Sequence, residues 1–217
     1  MELLKHTPAS LLDYTCTQLA TFFPSGDPVA LRGQLERHLP RALERLAHCI
    51  DHVVMWKPGQ FNYLNSSQYC IYLYYLANTV WRAEQDADSA TRLFLLNKAL
   101  NGIDLFYEIE LPEVFFIGHS VGIVLAKASY GNYLVLYQNS TVGKNHGVAP
   151  VLGSGVILYP NTAIIGRCNI GNNTVVSQGT GIINRDTPGD CLVFPGSGGQ
   201  LTCTPSKRPL LGDFFRL

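Results

Sequence analysis

Side chains able to do chemistry are few in this chain and lie far apart. Six cysteines (Cys16, Cys49, Cys70, Cys168, Cys191, Cys203) form no Cys-x-x-Cys pair. That pattern argues against a zinc knuckle or a disulfide scaffold and reads as small buried hydrophobes; no metal is expected. Two of the six histidines stand beside glycine, His119 in Gly118-His119-Ser120-Val121-Gly122 and His146 in Lys144-Asn145-His146-Gly147. A neutral imidazole within hydrogen-bond reach of a hydroxyl can take its proton during nucleophilic attack, although a lone histidine is more commonly structural. What decides between these roles is the scaffold that carries each histidine.

Lys plus Arg and Asp plus Glu each total 16, so no charge bias steers the chain to nucleic acid or an acidic membrane. The opening MELLKHTPASLLDY lacks the basic segment and long apolar core of a secretory signal, and the longest apolar run, residues 69 to 77, is too short to span a bilayer. A soluble cytoplasmic protein is the expectation. Residues 8 to 23, 27 to 50, 68 to 83 and 88 to 100 carry helical patterns. In the second, Val29, Leu31, Leu35, Leu39, Leu43, Leu46 and Ile50 recur mostly at three- and four-residue steps. Asp27-Pro28 suits its start, Pro40 is expected to kink or split it, and Asn101-Gly102 suits a left-handed cap after the fourth helix. The stripe Tyr69, Tyr72, Tyr75 and Trp81 reads as helix packing before it reads as a ligand box.

A different period begins further on. From Leu152 an aliphatic residue recurs at every sixth position, as Leu158, Ile164, Ile170, Val176 and Ile182, and a compact residue follows four places later at Val156, Thr162, Cys168, Thr174 and Thr180. Six matches neither a helix nor an ordinary strand. It fits short strands joined by tight corners, with Gly and Asn at the corners and three units to a triangular turn. The same frame runs upstream as Val124, Tyr130, Leu136 and Val142. Between Val142 and Leu152 the step is ten, so about four residues around Lys144 to Gly147 leave the coil as a loop, the first place to look for a site. The expected architecture is α+β: helical residues 1 to 103, a parallel β-helix over 104 to 191 with its repeat clear from about 112, and a breaker-rich extended tail over 192 to 217.

With these features in view the chain resembles the left-handed β-helix acyltransferases, and within them the serine acetyltransferases. The resemblance covers roughly residues 70 to 191. It rests on Leu76 to Trp81, the Asn97 helix before Asp104, Gly118-His119-Ser120-Val121-Gly122-Ile123-Val124, Asn139 to Gly143, and the repeats to Ile182. It implies acetyl-CoA as cosubstrate and a trimer with CoA lying between adjacent coils, two trimers pairing being an open question. In that family a histidine in Asp-His-x-x-Gly is the general base, held by an aspartate fifteen residues earlier. Here Asp104 stands fifteen residues before His119. The carboxylate would fix the tautomer and stabilise the imidazolium. The resemblance further implies that Gly179, Gly181 and Arg185 line the CoA groove and that His146 is a partial counterpart of a second active-site histidine.

Two departures bear on the acceptor. The family's aspartate before the catalytic histidine is Gly118, and its Arg-His pair has only Asn145-His146 as counterpart. If Pro150 to Gly153 matches the family's Pro-Lys-Ile-Gly, His146 falls about three residues early. An amide does not replace a guanidinium. The expectation is therefore transfer to an uncharged hydroxyl, such as that of a sugar or nucleotide-linked acceptor. Serine O-acetylation and a non-catalytic trimeric scaffold are the alternatives.

Overall fold

In the computed structural model, which describes residues 1–217, four helices precede the coil. Helix α1, Pro8–Phe22, starts on a capping box in which the Thr7 hydroxyl accepts from the Ser10 amide and the Ser10 hydroxyl from the Thr7 amide. Helix α2, Pro28–His52, starts at Asp27, whose carboxylate accepts from the Ala30 amide at 2.9 Å. It runs through Pro40 without a break, contrary to a split there. Pro40 lies on the exposed face, where water can satisfy the carbonyl that the missing N–H leaves free. Helix α3, Ser66–Glu84, is buried on every side from Gln68 to Val80, and helix α4, Ala87–Asn101, ends on Gly102 at φ 64°.

The coil is a three-sided prism of parallel strands. One face stacks Asp104–Leu105, Val124–Leu125, Thr141–Gly143, Ala163–Ile165 and Gly181–Ile183. The second stacks Ser129–Tyr130, Val151–Leu152 and Asn169–Ile170, and the third Phe115–Ile117, Leu134–Leu136, Ile157–Leu158, Val175–Val176 and Cys191–Pro195. Leu152, Leu158, Ile164, Ile170, Val176 and Ile182 are all within 2% of full burial, and the compact residues four places on are buried beside them. Thr162 donates to Ser140 inside the prism at 3.3 Å, so the inner hydroxyls satisfy one another. At the corners Asn161, Asn173 and Asn184 take positive φ. Asn173 and Asn184 sit directly over Gly155 and Gly166, where a Cβ would meet the amide oxygen at 2.4 and 2.1 Å.

Two expectations need correction. Upstream the inward residue is Leu125, paired with Val142, whereas Val124 pairs with Thr141 and is exposed. The coil below is one residue short of the regular eighteen, so the frame slips by one. Nor is the tail simply extended from residue 192. Cys191–Pro195 joins the third face in parallel with Val175–Val176, and Leu201–Pro205 then returns antiparallel to it. Glycines from Gly196 to Gly199 supply that reversal.

One hydrophobic cluster runs through both halves. The tyrosine stripe packs, as expected, and its Tyr75, together with the neighbouring Tyr74, anchors the helices to the first coil. Tyr74 donates to the Ile109 carbonyl at 2.7 Å and accepts from the Leu111 amide, and Tyr75 donates to the Glu113 carbonyl. The last residues fold back: Phe214 and Phe215 are buried, and Arg216 donates to the carbonyls of Asp51, Val53, Val54 and Trp56.

Candidate active site

His119 sits on the corner that links the third face to the first. The Gly118 amide donates to the Leu136 carbonyl at 2.8 Å, its carbonyl accepts from Ser67, and buried Ser120 donates to the Asn101 carbonyl at 2.7 Å. A fixed backbone therefore carries an exposed imidazole. Its ring faces Tyr137 at 6.4 Å between centroids. Tyr137 stacks on Tyr159 at 5.6 Å and 23° and meets Phe214 edge to face at 6.4 Å. Burial, then Tyr159, raises the Tyr137 phenol above its ordinary pKa. The result is an aromatic wall beside the base.

Gly118 leaves no room for a side chain: a Cβ there would stand 2.5 Å from the Tyr137 ring. The acidic residue that the resemblance implies at this place could enter only if the tyrosine moved. Asp104 lies at the base of the first face, in register with Val124. Its carboxylate accepts from the Lys98 ammonium at 2.6 Å, and no hydrogen bond joins it to His119.

His146 occupies a two-residue turn in which Asn145 and Val148 exchange both backbone hydrogen bonds, at 2.9 and 3.0 Å. Positive φ at His146 (47°) and Gly147 (80°) identifies a tight hairpin turn. The four extra residues are visible in the register, since Thr141 pairs with Ala163 whereas Ala163 pairs with Gly181. Asn145 bends over Gly166 of the next coil, where a Cβ would lie 2.7 Å from that of Asn145.

The candidate residues thus fall on two edges of the prism. His119, Tyr137, Tyr159 and Gly179 follow the edge between the third and first faces; His146 and Arg185 follow the edge between the first and second. Gly181 and Arg185 line an open groove of about 310 Å³ with Ile183, Pro195 and Leu201, and Gly179 stands outside it. The aromatic wall and the tail beside it went unread in the sequence. The recurrence of tyrosine at 137 and 159, 22 residues apart like the paired Leu136 and Leu158, was the available signal. The tail also encloses a hollow of about 450 Å³ against the third face, with Lys207 and Arg208 in its wall.

No family model matches the chain. It is 30% identical over 122 residues, 52% of this chain and 48% of the relative, to a serine acetyltransferase of Synechococcus elongatus. The chain spans about half the length of the curated relatives it matches. The crystal structure of serine acetyltransferase from Vibrio cholerae superposes with a TM-score of 0.73 at 18% identity, over 96% of this chain and 84% of that one. A serine acetyltransferase solved in complex with CoA gives 0.70 at 19%, over 92% and 87%. The fold is the left-handed β-helix with a helical N-terminal region found in those structures.

Proposed function

We propose that the protein transfers an acetyl group from acetyl-CoA to an alcohol, with His119 as general base. The acceptor oxygen bonds to the thioester carbon as His119 takes its proton; the C–S bond then breaks and the imidazolium returns the proton to the CoA sulfur. Backbone amides beside the thioester suit the oxyanion. No cysteine adjoins His119 in sequence, which favours direct transfer. The observation that carries this reading is the exposed His119 on a rigid corner of a coil shared in fold and sequence with serine acetyltransferases.

Asp104 is the positioning carboxylate in this reading, and Lys98 competes with His119 for it. Because His119 and His146 follow different edges, they meet when a neighbouring copy packs edge to edge, which favours a trimer with CoA between coils and Arg185 near its phosphates. A cytoplasmic site of action goes with the cosubstrate.

Serine is the acceptor that the comparisons favour. A second reading, an uncharged hydroxyl such as that of a sugar, is favoured by the Tyr137 ring over Gly118 and by the aromatic stack, which suits the face of a sugar ring. Measuring CoA release with L-serine beside a panel of sugars and nucleotide sugars separates the two. Serine turnover supports the first and sugar turnover the second. No acetyl-CoA binding by calorimetry overturns both in favour of a scaffold.

A further inference from the structure

The helical half carries a cluster that acyl transfer leaves unused. Arg41 and Arg45 stand one turn apart on α2, and Thr79 and Arg82 face them from α3. Together with Ala83 these line a hollow of about 250 Å³ whose wall contains three guanidiniums and no carboxylate.

Arg45 is the key member. It is half-buried, its Nη1 donates to the Thr79 hydroxyl at 2.9 Å, and its guanidinium lies 4.5 Å from the centroid of the Tyr75 ring. Arg41 pairs with Glu44, and Arg82 with Glu110 at 3.5 Å, but Arg45 has no carboxylate partner. Burial, and further down the charge of Arg82, hold the Arg45 guanidinium below its ordinary pKa. Packing on Tyr75 accounts for where the Arg45 stem lies. It does not account for two further guanidiniums gathered around a half-buried guanidinium that no carboxylate touches. The two outer ion pairs are exposed, so each is weak and can open to a competing anion. A larger hollow of about 500 Å³ shares Arg41, Arg45 and Arg82 with the first and adds His48, Tyr75 and Leu111 together with the carboxylates Glu44, Asp51 and Glu113.

We propose that Arg41, Arg45 and Arg82 hold a phosphate group of a small molecule whose remainder lies in the larger hollow against Tyr75 and Leu111. Each guanidinium offers a planar fork of N–H donors. A tetrahedral phosphate presents acceptor oxygens in enough directions for three forks at once, whereas a planar carboxylate serves two. Thr79 adds a hydroxyl at the same wall. The site lies between α2 and α3, apart from His119 and the coil edges, and does not depend on the acyl-transfer reading.

The test is calorimetric titration of the full chain with inorganic phosphate and with pyrophosphate, ionic strength being held constant with chloride. Saturable binding is expected, weakened roughly 10-fold by Arg82→Gln, which removes one charge-assisted contact. Arg45→Met, which keeps the stem on Tyr75, is expected to abolish it, and Lys57→Gln, an exposed cation elsewhere, to leave it unchanged. Absence of saturable heat with both anions at millimolar concentration overturns the proposal. So does an affinity that is the same in wild type and Arg82→Gln, a variant of an exposed side chain that decides the matter even if Arg45→Met does not fold.

Discussion

The upper coils and the lower coils of the prism obey different rules. Between Val151 and Ile183 the partners in successive turns are eighteen residues apart, as Val151 is from Asn169, Ile157 from Val175 and Ala163 from Gly181. Below them the spacing is 20 from Asp104 to Val124, 17 from Val124 to Thr141 and 22 from Thr141 to Ala163. Both kinds of turn bury an aliphatic residue at every strand except Ser129–Tyr130, where the half-buried Tyr130 takes that place. Only the irregular turns carry the two histidines, one on a corner next to the slipped frame and the other on the four-residue excursion. Regular turns supply a stable ruler; departures from it aim side chains outward.

Four measurements would break or sharpen that contrast. His119→Ala should lower turnover on the order of 100-fold or more while acetyl-CoA binding by calorimetry stays within about twofold. Undiminished turnover would remove the irregular corner from the chemistry. Ile164→Ala, in the regular stack, should cost about 2–5 kcal/mol in urea unfolding, because the prism cannot collapse around the cavity; a loss well under about 1 kcal/mol would show that the stack is not the ruler. Gly118→Asp should cost about 1–3 kcal/mol by forcing Tyr137 off its stack with Tyr159, and an equally stable variant would mean that the tyrosine yields freely. Deleting residues 144 to 147 restores an eighteen-residue step. Its effect on stability should be the smallest, within about 1 kcal/mol because loop length weighs little, and a collapse of the coil would show the excursion to be structural.

The regular part of this contrast was legible in the sequence because the interior of a narrow prism accepts one aliphatic residue per strand and repeats that demand. The same repetition misled at Val124: it looks like the next rung, but the turn is a residue short and Leu125 takes the inside. The helices were legible from period and caps. Pro40 was not, because its effect depends on which face meets water. At the site, the excursion around His146 could be placed from spacing, and His119 was singled out by the resemblance. The Lys98 contact to Asp104 and the Tyr137 ring over Gly118 could not, since each joins side chains whose approach only the packed fold decides. The same holds for Phe214, Phe215 and Arg216, whose partners lie some 160 residues earlier at the end of the second helix.

The hairpin of Cys191–Pro195 and Leu201–Pro205 has a consequence for the molecule's neighbours. A stack of parallel strands ends in a row of unpaired amides and carbonyls, a template on which another chain can add and a fibre can grow. Here the final parallel strand is already partnered by a strand of opposite sense. That returning strand ends at Pro205, which has no amide to offer, and is followed by the cations Lys207 and Arg208. On the third face the chain thus blocks further strand addition by itself, whereas the last strand of the first face, Gly181–Ile183, keeps one edge open.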